Sequence, residues 1–304
     1  MLILLSAVLV VGQILLTGAD PFVLWLNWGV AGIFSLGLWL LMGKFHLGGV
    51  SDGKSMAIVW PLMSVTLNFA YLYFNPSNPV LFGLLHLSAL MGIITLMLSI
   101  WQEEQATLRT LCIGLLIGIC STFFPHTILW LLLIPLAMFH LRSTSLRNGC
   151  SILTGALMGI WIVYCLYFIG QGAEAADGII RKFSELFDMA SYVEVLSSFS
   201  LWHWLFIAML VLMVIIYSLS AMVLGTGHSV RASACIMLIS TLSIASVFFL
   251  CIDINNTALY ICQLALFLCI QLTIHQANLR SSANEWWTIF IILLSFGISV
   301  LPLI

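Results

Sequence analysis

A chain of 304 residues that is 62% hydrophobic and 7% charged, with a mean hydropathy of +1.18, is not a water-soluble domain, whose charged fraction is about 25%. The formal net charge of −2 and the lack of a basic run give no support for a nucleic-acid partner. In hydrocarbon every backbone N–H and C=O must be paired internally. The apolar runs of about 20 residues show no period-2 alternation, so the expected fold is all-α, a polytopic transmembrane bundle in one integral membrane domain over residues 1–304.

In chain order the bilayer length rule places about eleven spans near residues 1–17, 22–43, 55–74, 80–101, 109–124, 126–141, 149–170, 201–225, 233–252, 257–275 and 286–304. The first run lacks a basic flank and a small-residue cleavage pattern, so it is expected to be a retained helix. The fifth and sixth are short and joined at Phe124-Pro125-His126, which leaves open a tight hairpin or one broken element. Lys44, Lys54, Arg109, Arg142, Arg147, Arg231 and Arg280 fall in alternate loops, which the positive-inside rule makes cytoplasmic. The expected topology is therefore N-terminus cytoplasmic and C-terminus periplasmic.

One loop is long, residues 171–200. Within it Ile179, Phe183, Leu186, Phe187 and Ala190 recur at helical spacing, with Arg181, Lys182, Ser184, Glu185 and Asp188 between them. This predicts a periplasmic amphipathic helix flat on the membrane surface. It is either a lid or docking element for a membrane-protein partner, or a connector that floats at the interface. Trp202, His203 and Trp204 then open the next span, as an aromatic belt would.

Few groups carry chemistry. No Asp, Glu, Lys or Arg lies near the middle of a predicted span, which disfavours a proton relay. There is no Walker sequence, HExxH or GxSxG, and no His/Cys ligand set. His126 and His140 stand about 21 Å apart along a helix, too far to share a metal. No metal or cofactor is expected. The eight cysteines, Cys112, Cys120, Cys150, Cys165, Cys235, Cys251, Cys262 and Cys269, lie in or beside apolar runs without a CxxC, as small packing residues do.

Uncharged polar residues remain. Asn68 and His86 each sit roughly 10 Å inside the outer ends of consecutive spans, a depth at which their side chains could meet. One reading is a polar pocket opening outward, with Asp20, His126 or Asp253 near its mouth. The other is ordinary hydrogen bonding between helices, for which Asn27, Gln13, Gln263 and Gln271 are equally suited. Gly114 with Gly118, and Gly155 with Gly159, form small-xxx-small faces that permit close helix approach, more naturally within the chain than between copies.

The run CIGLLIGICSTFFPHTILWLLLIPLAMFHLR, followed by a basic turn and SILTGALMGIWIVYCLYFI, resembles the central part of a family of uncharacterised polytopic inner-membrane proteins of Bacteroidetes, a domain of unknown function. The likeness covers roughly residues 45–170. It implies a bacterial inner-membrane location and no catalytic residues.

Three function classes follow. The first is a non-catalytic or accessory subunit of an envelope-biogenesis complex, which suits the missing catalytic groups and the amphipathic segment. The second is a glycosyltransferase or polymerase acting on lipid-linked saccharides at the outer face, with Asp20 where such enzymes place an early acidic residue. The third is a small-molecule or lipid transporter. A transporter would be expected to show inverted repeats, and the two halves share no second copy of the Pro125 pinch.

Overall fold

The computed structural model describes residues 2–17, 19–45, 47, 54–74, 79–103, 105–184, 199–225, 229–252, 257–278 and 289–297. All regular structure among them is helical, with no strand, as the composition requires. The helices are α1 (Leu2–Thr17), α2 (Pro21–Phe45), α3 (Lys54–Phe74), α4 (Pro79–Ser99), α5 (Thr107–Phe123), α6 (Trp130–His140), α7 (Leu146–Gln171), α8 (Ala173–Ser184), α9 (Leu201–Gly225), α10 (Val230–Ile252) and α11 (Thr257–Asn278), with a 3₁₀ turn at Pro125–Leu129. A further helical stretch covers residues 289–297.

Among the described residues, five helices are long and apolar enough to cross a membrane, over Pro21–Phe45, Leu146–Gln171, Leu201–Val223, Val230–Leu250 and Thr257–His275. Shorter apolar stretches occupy Ser6–Leu16, Val59–Leu72, Leu85–Ser99, Thr107–Phe123 and Thr127–His140. Their outward faces are apolar. On α7, Leu157, Trp161, Leu166 and Ile169 are exposed, and on α9 so are Leu205, Leu212, Ile216 and Leu219. Meanwhile Gln13, Asn27, Asn68, Gln263 and Gln271 are buried. In water each of these apolar faces would be exposed at a cost; in hydrocarbon they cost nothing.

The chain divides into two compact units, residues 1–87 with 196–304, and residues 88–195. The first unit is organised around α11. Every residue from Leu259 to Ile274 is buried. Of the apolar windows, 94% of that in α11 is enclosed by protein, against 28% of that in α7. α3, α9 and α10 pack on α11, and α1 and α2 complete the unit on α3. Phe69 of α3 stacks on Phe206 of α9 with ring centroids 3.7 Å apart. Trp60 of α3 donates its indole N–H to the Trp28 carbonyl of α2 at 2.9 Å, and Trp28 donates to the Ser6 hydroxyl of α1 at 3.0 Å. Gly32 makes that crossing possible, because a Cβ there would lie 2.7 Å from the Trp60 ring.

In the second unit, α5 and α7 run parallel, face to face on their glycines. Cβ atoms at Gly114 and Gly118 would overlap the carbonyls of Ile152 and Ala156, and one at Gly155 that of Leu111. A Cβ at Gly159 would lie 2.6 Å from the Leu115 carbonyl. Such backbone-to-backbone approach is what small-xxx-small faces allow. Two parallel helices need the chain to return between them, and the 3₁₀ turn with α6 does so. The Gln102 amide donates to the Leu141 carbonyl at 3.0 Å, and Asn148 donates to the Glu103 carbonyl, closing the ends. Residues 107–141 are thus a hairpin rather than one broken element. Its second limb differs from the expected span at 126–141: α6 has 11 residues, about 16 Å of helix, because Pro125 starts a 3₁₀ turn in place of α-helix.

Candidate functional site

Among the described residues, two sets of buried polar side chains in the first unit are bonded across helices. In one, Asn27 of α2 donates its side-chain amide to Asn68 Oδ1 at 3.0 Å, and Asn68 donates to Gln13 Oε1 of α1 at 2.7 Å. Each of the three is at most 1% exposed, so the amides serve three helices and not solvent. In the other, His86 Nε2 of α4 lies 2.8 Å from Gln263 Oε1 of α11, and Gln263 donates to Ser246 Oγ of α10 at 2.8 Å. Among the described residues, Asn68 and His86 therefore bond to different side chains.

A second glutamine extends the α10–α11 seam. Gln271 donates to Ser240 Oγ at 3.1 Å and Ser243 Oγ at 3.3 Å. Successive glutamines meet successive serines in reverse order, as antiparallel helices require. Three serines at every third position, Ser240, Ser243 and Ser246, form the α10 side of this seam. Their spacing of three residues along one helix face was a usable signal, matched by the eight-residue interval between Gln263 and Gln271. The Ser243 and Ser246 hydroxyls donate to the Ile239 and Leu242 carbonyls, which leaves their oxygens to accept from the glutamines.

The proposed mouth residues are placed unevenly. Asp20 is exposed, and its carboxylate accepts from the Phe22 amide at 2.9 Å, capping α2 just ahead of Pro21 at the first helical position. Asp20→Ala should consequently lower stability by about 1 kcal/mol. Thermal unfolding in detergent checks this, and Asp20→Asn should retain most of the cap. The backbone of His126 lies in the 3₁₀ turn at Pro125–Leu129. Asp253 lies outside the described residues.

The amphipathic segment begins as expected. Glu174 in the first turn and Arg181 and Lys182 in the last complement the helix dipole of α8. Ala176 and Ile179 are buried against the second unit, whose α5 and α7 contact α8, while Arg181 and Lys182 are exposed. Phe183 is half-buried; Leu186, Phe187 and Ala190 lie outside the described residues. The helix starts after Gly172, whose φ of +90° favours glycine, and Tyr164 Oη approaches Asp177 Oδ1 at 3.4 Å to tie α8 to α7. This part of the segment is packed on α7 and α5.

No group of three or more His, Cys, Asp or Glu among the described residues is arranged to hold a metal ion. The described cysteines are all unpaired by disulfide. Comparison with known proteins returns no match: no family model, no curated protein and no solved structure is similar to this chain.

Proposed function

We propose that this is a multi-pass protein of a bacterial inner membrane, with about eleven spans, N-terminus cytoplasmic and C-terminus periplasmic, acting as a non-catalytic or accessory subunit of an envelope-biogenesis complex. The observation that carries the reading is the use of the embedded polar groups. Gln13, Asn27, Asn68, His86 and Gln263 are all at most 3% exposed and bonded across helices. A transporter or membrane enzyme presents such groups to its substrate; here they hold helices together. The apolar faces of α7 and α9 leave room for membrane-embedded neighbours, and α8 offers a charged edge at the surface.

The test is the mass and composition of the species released from native membranes by mild detergent, using a tagged chain and mass spectrometry. A stoichiometric partner protein is expected. A lone chain carrying glycolipid would overturn the subunit reading in favour of an enzyme on lipid-linked saccharides, and a lone chain carrying none of these would overturn it outright.

A further inference from the structure

The second unit contains a small cleft between α5, α7 and α8, lined by Thr122, Phe123, Val163, Tyr167, Ala175, Gly178, Ile179 and Lys182. The four α8 residues fall at i, i+3, i+4 and i+7, so a single face of the helix forms one wall. Ala175 and Gly178 leave that wall hollow, and Lys182 stands at its end. On α7, Val163 and Tyr167 are one turn apart and form the opposite wall.

We propose that this cleft binds the phosphate-bearing headgroup of an anionic phospholipid, with Lys182 as the cationic contact and Tyr167 as the hydroxyl donor. Three features select this ligand. The cleft holds about 110 Å³, too little for a drug-sized ligand, which takes about 300 Å³ or more, but suited to a headgroup. Its lining joins one cation to apolar side chains, which matches the boundary between a phosphate and its glycerol ester. The adjoining face of α7 exposes Ile162, Leu166 and Ile169, a track along which acyl chains can lie. Among the described residues Lys182 has no ion-pair partner, whereas Asp177, the acidic group nearby on α8, is turned to Tyr164. A lysine whose stem crosses apolar surface to reach a phosphate is the usual arrangement at this depth. The inference uses the membrane setting but does not need a protein partner.

The experiment is native mass spectrometry of the full chain alone in mild detergent, with added phosphatidylglycerol or phosphatidylcholine. Wild type should retain phosphatidylglycerol in preference to phosphatidylcholine. Lys182→Gln should lower that retention about fivefold, the effect of one lysine at an anionic surface. Gly178→Leu should lower it as well, by filling the cleft without changing charge; a Cβ at Gly178 meets nothing within 4 Å, so the fold accepts it. Arg181→Gln removes a neighbouring charge that does not line the cleft and should leave retention nearly unchanged. Equal losses in Lys182→Gln and Arg181→Gln, or no preference between the two lipids, would overturn the site. Displacement of the lipid by excess inorganic phosphate would show that the cleft takes free phosphate and would overturn the lipid assignment. Because the chain is assayed alone, these outcomes are independent of whether it has a protein partner in the cell.

Discussion

Gly114→Ala is expected to destabilise the protein by about 3 kcal/mol or more, the upper end of core overpacking. The sign is informative. By helix propensity alone alanine would be favoured over glycine by about 1 kcal/mol in a helix interior. In this position the new Cβ overlaps the Ile152 carbonyl of α7, and the obstacle is backbone, which has no alternative rotamer. The helices must separate, and both glycine faces lose their contact together, because Gly114, Gly118, Gly155 and Gly159 share one parallel interface. The Ser151 hydroxyl bond to the Thr107 carbonyl, 2.7 Å at the start of the same interface, would be strained with them. Gly149→Ala is the control, on α7 but with nothing within 4 Å of the added atom. Thermal unfolding in detergent, read as the monodisperse fraction surviving each temperature, should show a fall for Gly114→Ala and none for Gly149→Ala. If Gly114→Ala proved as stable as wild type, α5 and α7 would not be packed glycine to glycine.

Asn68→Leu should cost about 2 kcal/mol. Interhelical hydrogen bonds in membranes average about 0.6 kcal/mol and reach about 1.7, and this substitution removes two, to Asn27 and to Gln13. His86→Leu acts on Gln263 and Ser246, a different set of helices and partners. The two losses should therefore add to within about 0.5 kcal/mol, as for sites whose partners among the described residues differ. A coupling above about 1 kcal/mol in the double-mutant cycle would mean that Asn68 and His86 belong to one polar site after all. Replacing Gln13, Asn27 and Asn68 together with leucine should recover part of the single-mutant loss, since removing both sides of a buried bond is far less costly than removing one.

Composition and run length determined the solvent and the secondary structure of this protein without reference to any contact. An apolar run of about 20 residues with 7% charge overall has few alternatives in hydrocarbon, where each backbone group must pair within its own segment. The glycine faces were legible for a related reason: the spacing of Gly114 and Gly118, and of Gly155 and Gly159, is set within one helix, whatever lies opposite. The first half of the amphipathic helix was legible from Ile179 and Phe183 at helical spacing. Partner choice was not. Helix lengths put Asn68 and His86 at similar expected depth in consecutive helices, yet one joins α1 and α2 while the other joins α10 and α11, because side-chain pairing depends on the rotation and register of helices far apart in sequence. Nor does hydropathy reveal which helix is central. α11, with Gln263 and Gln271, is the most enclosed of the five long apolar helices, and α7 the least. Lipid is as apolar as a protein interior, so burial between helices follows polar pairing and close packing, which only the tertiary structure decides.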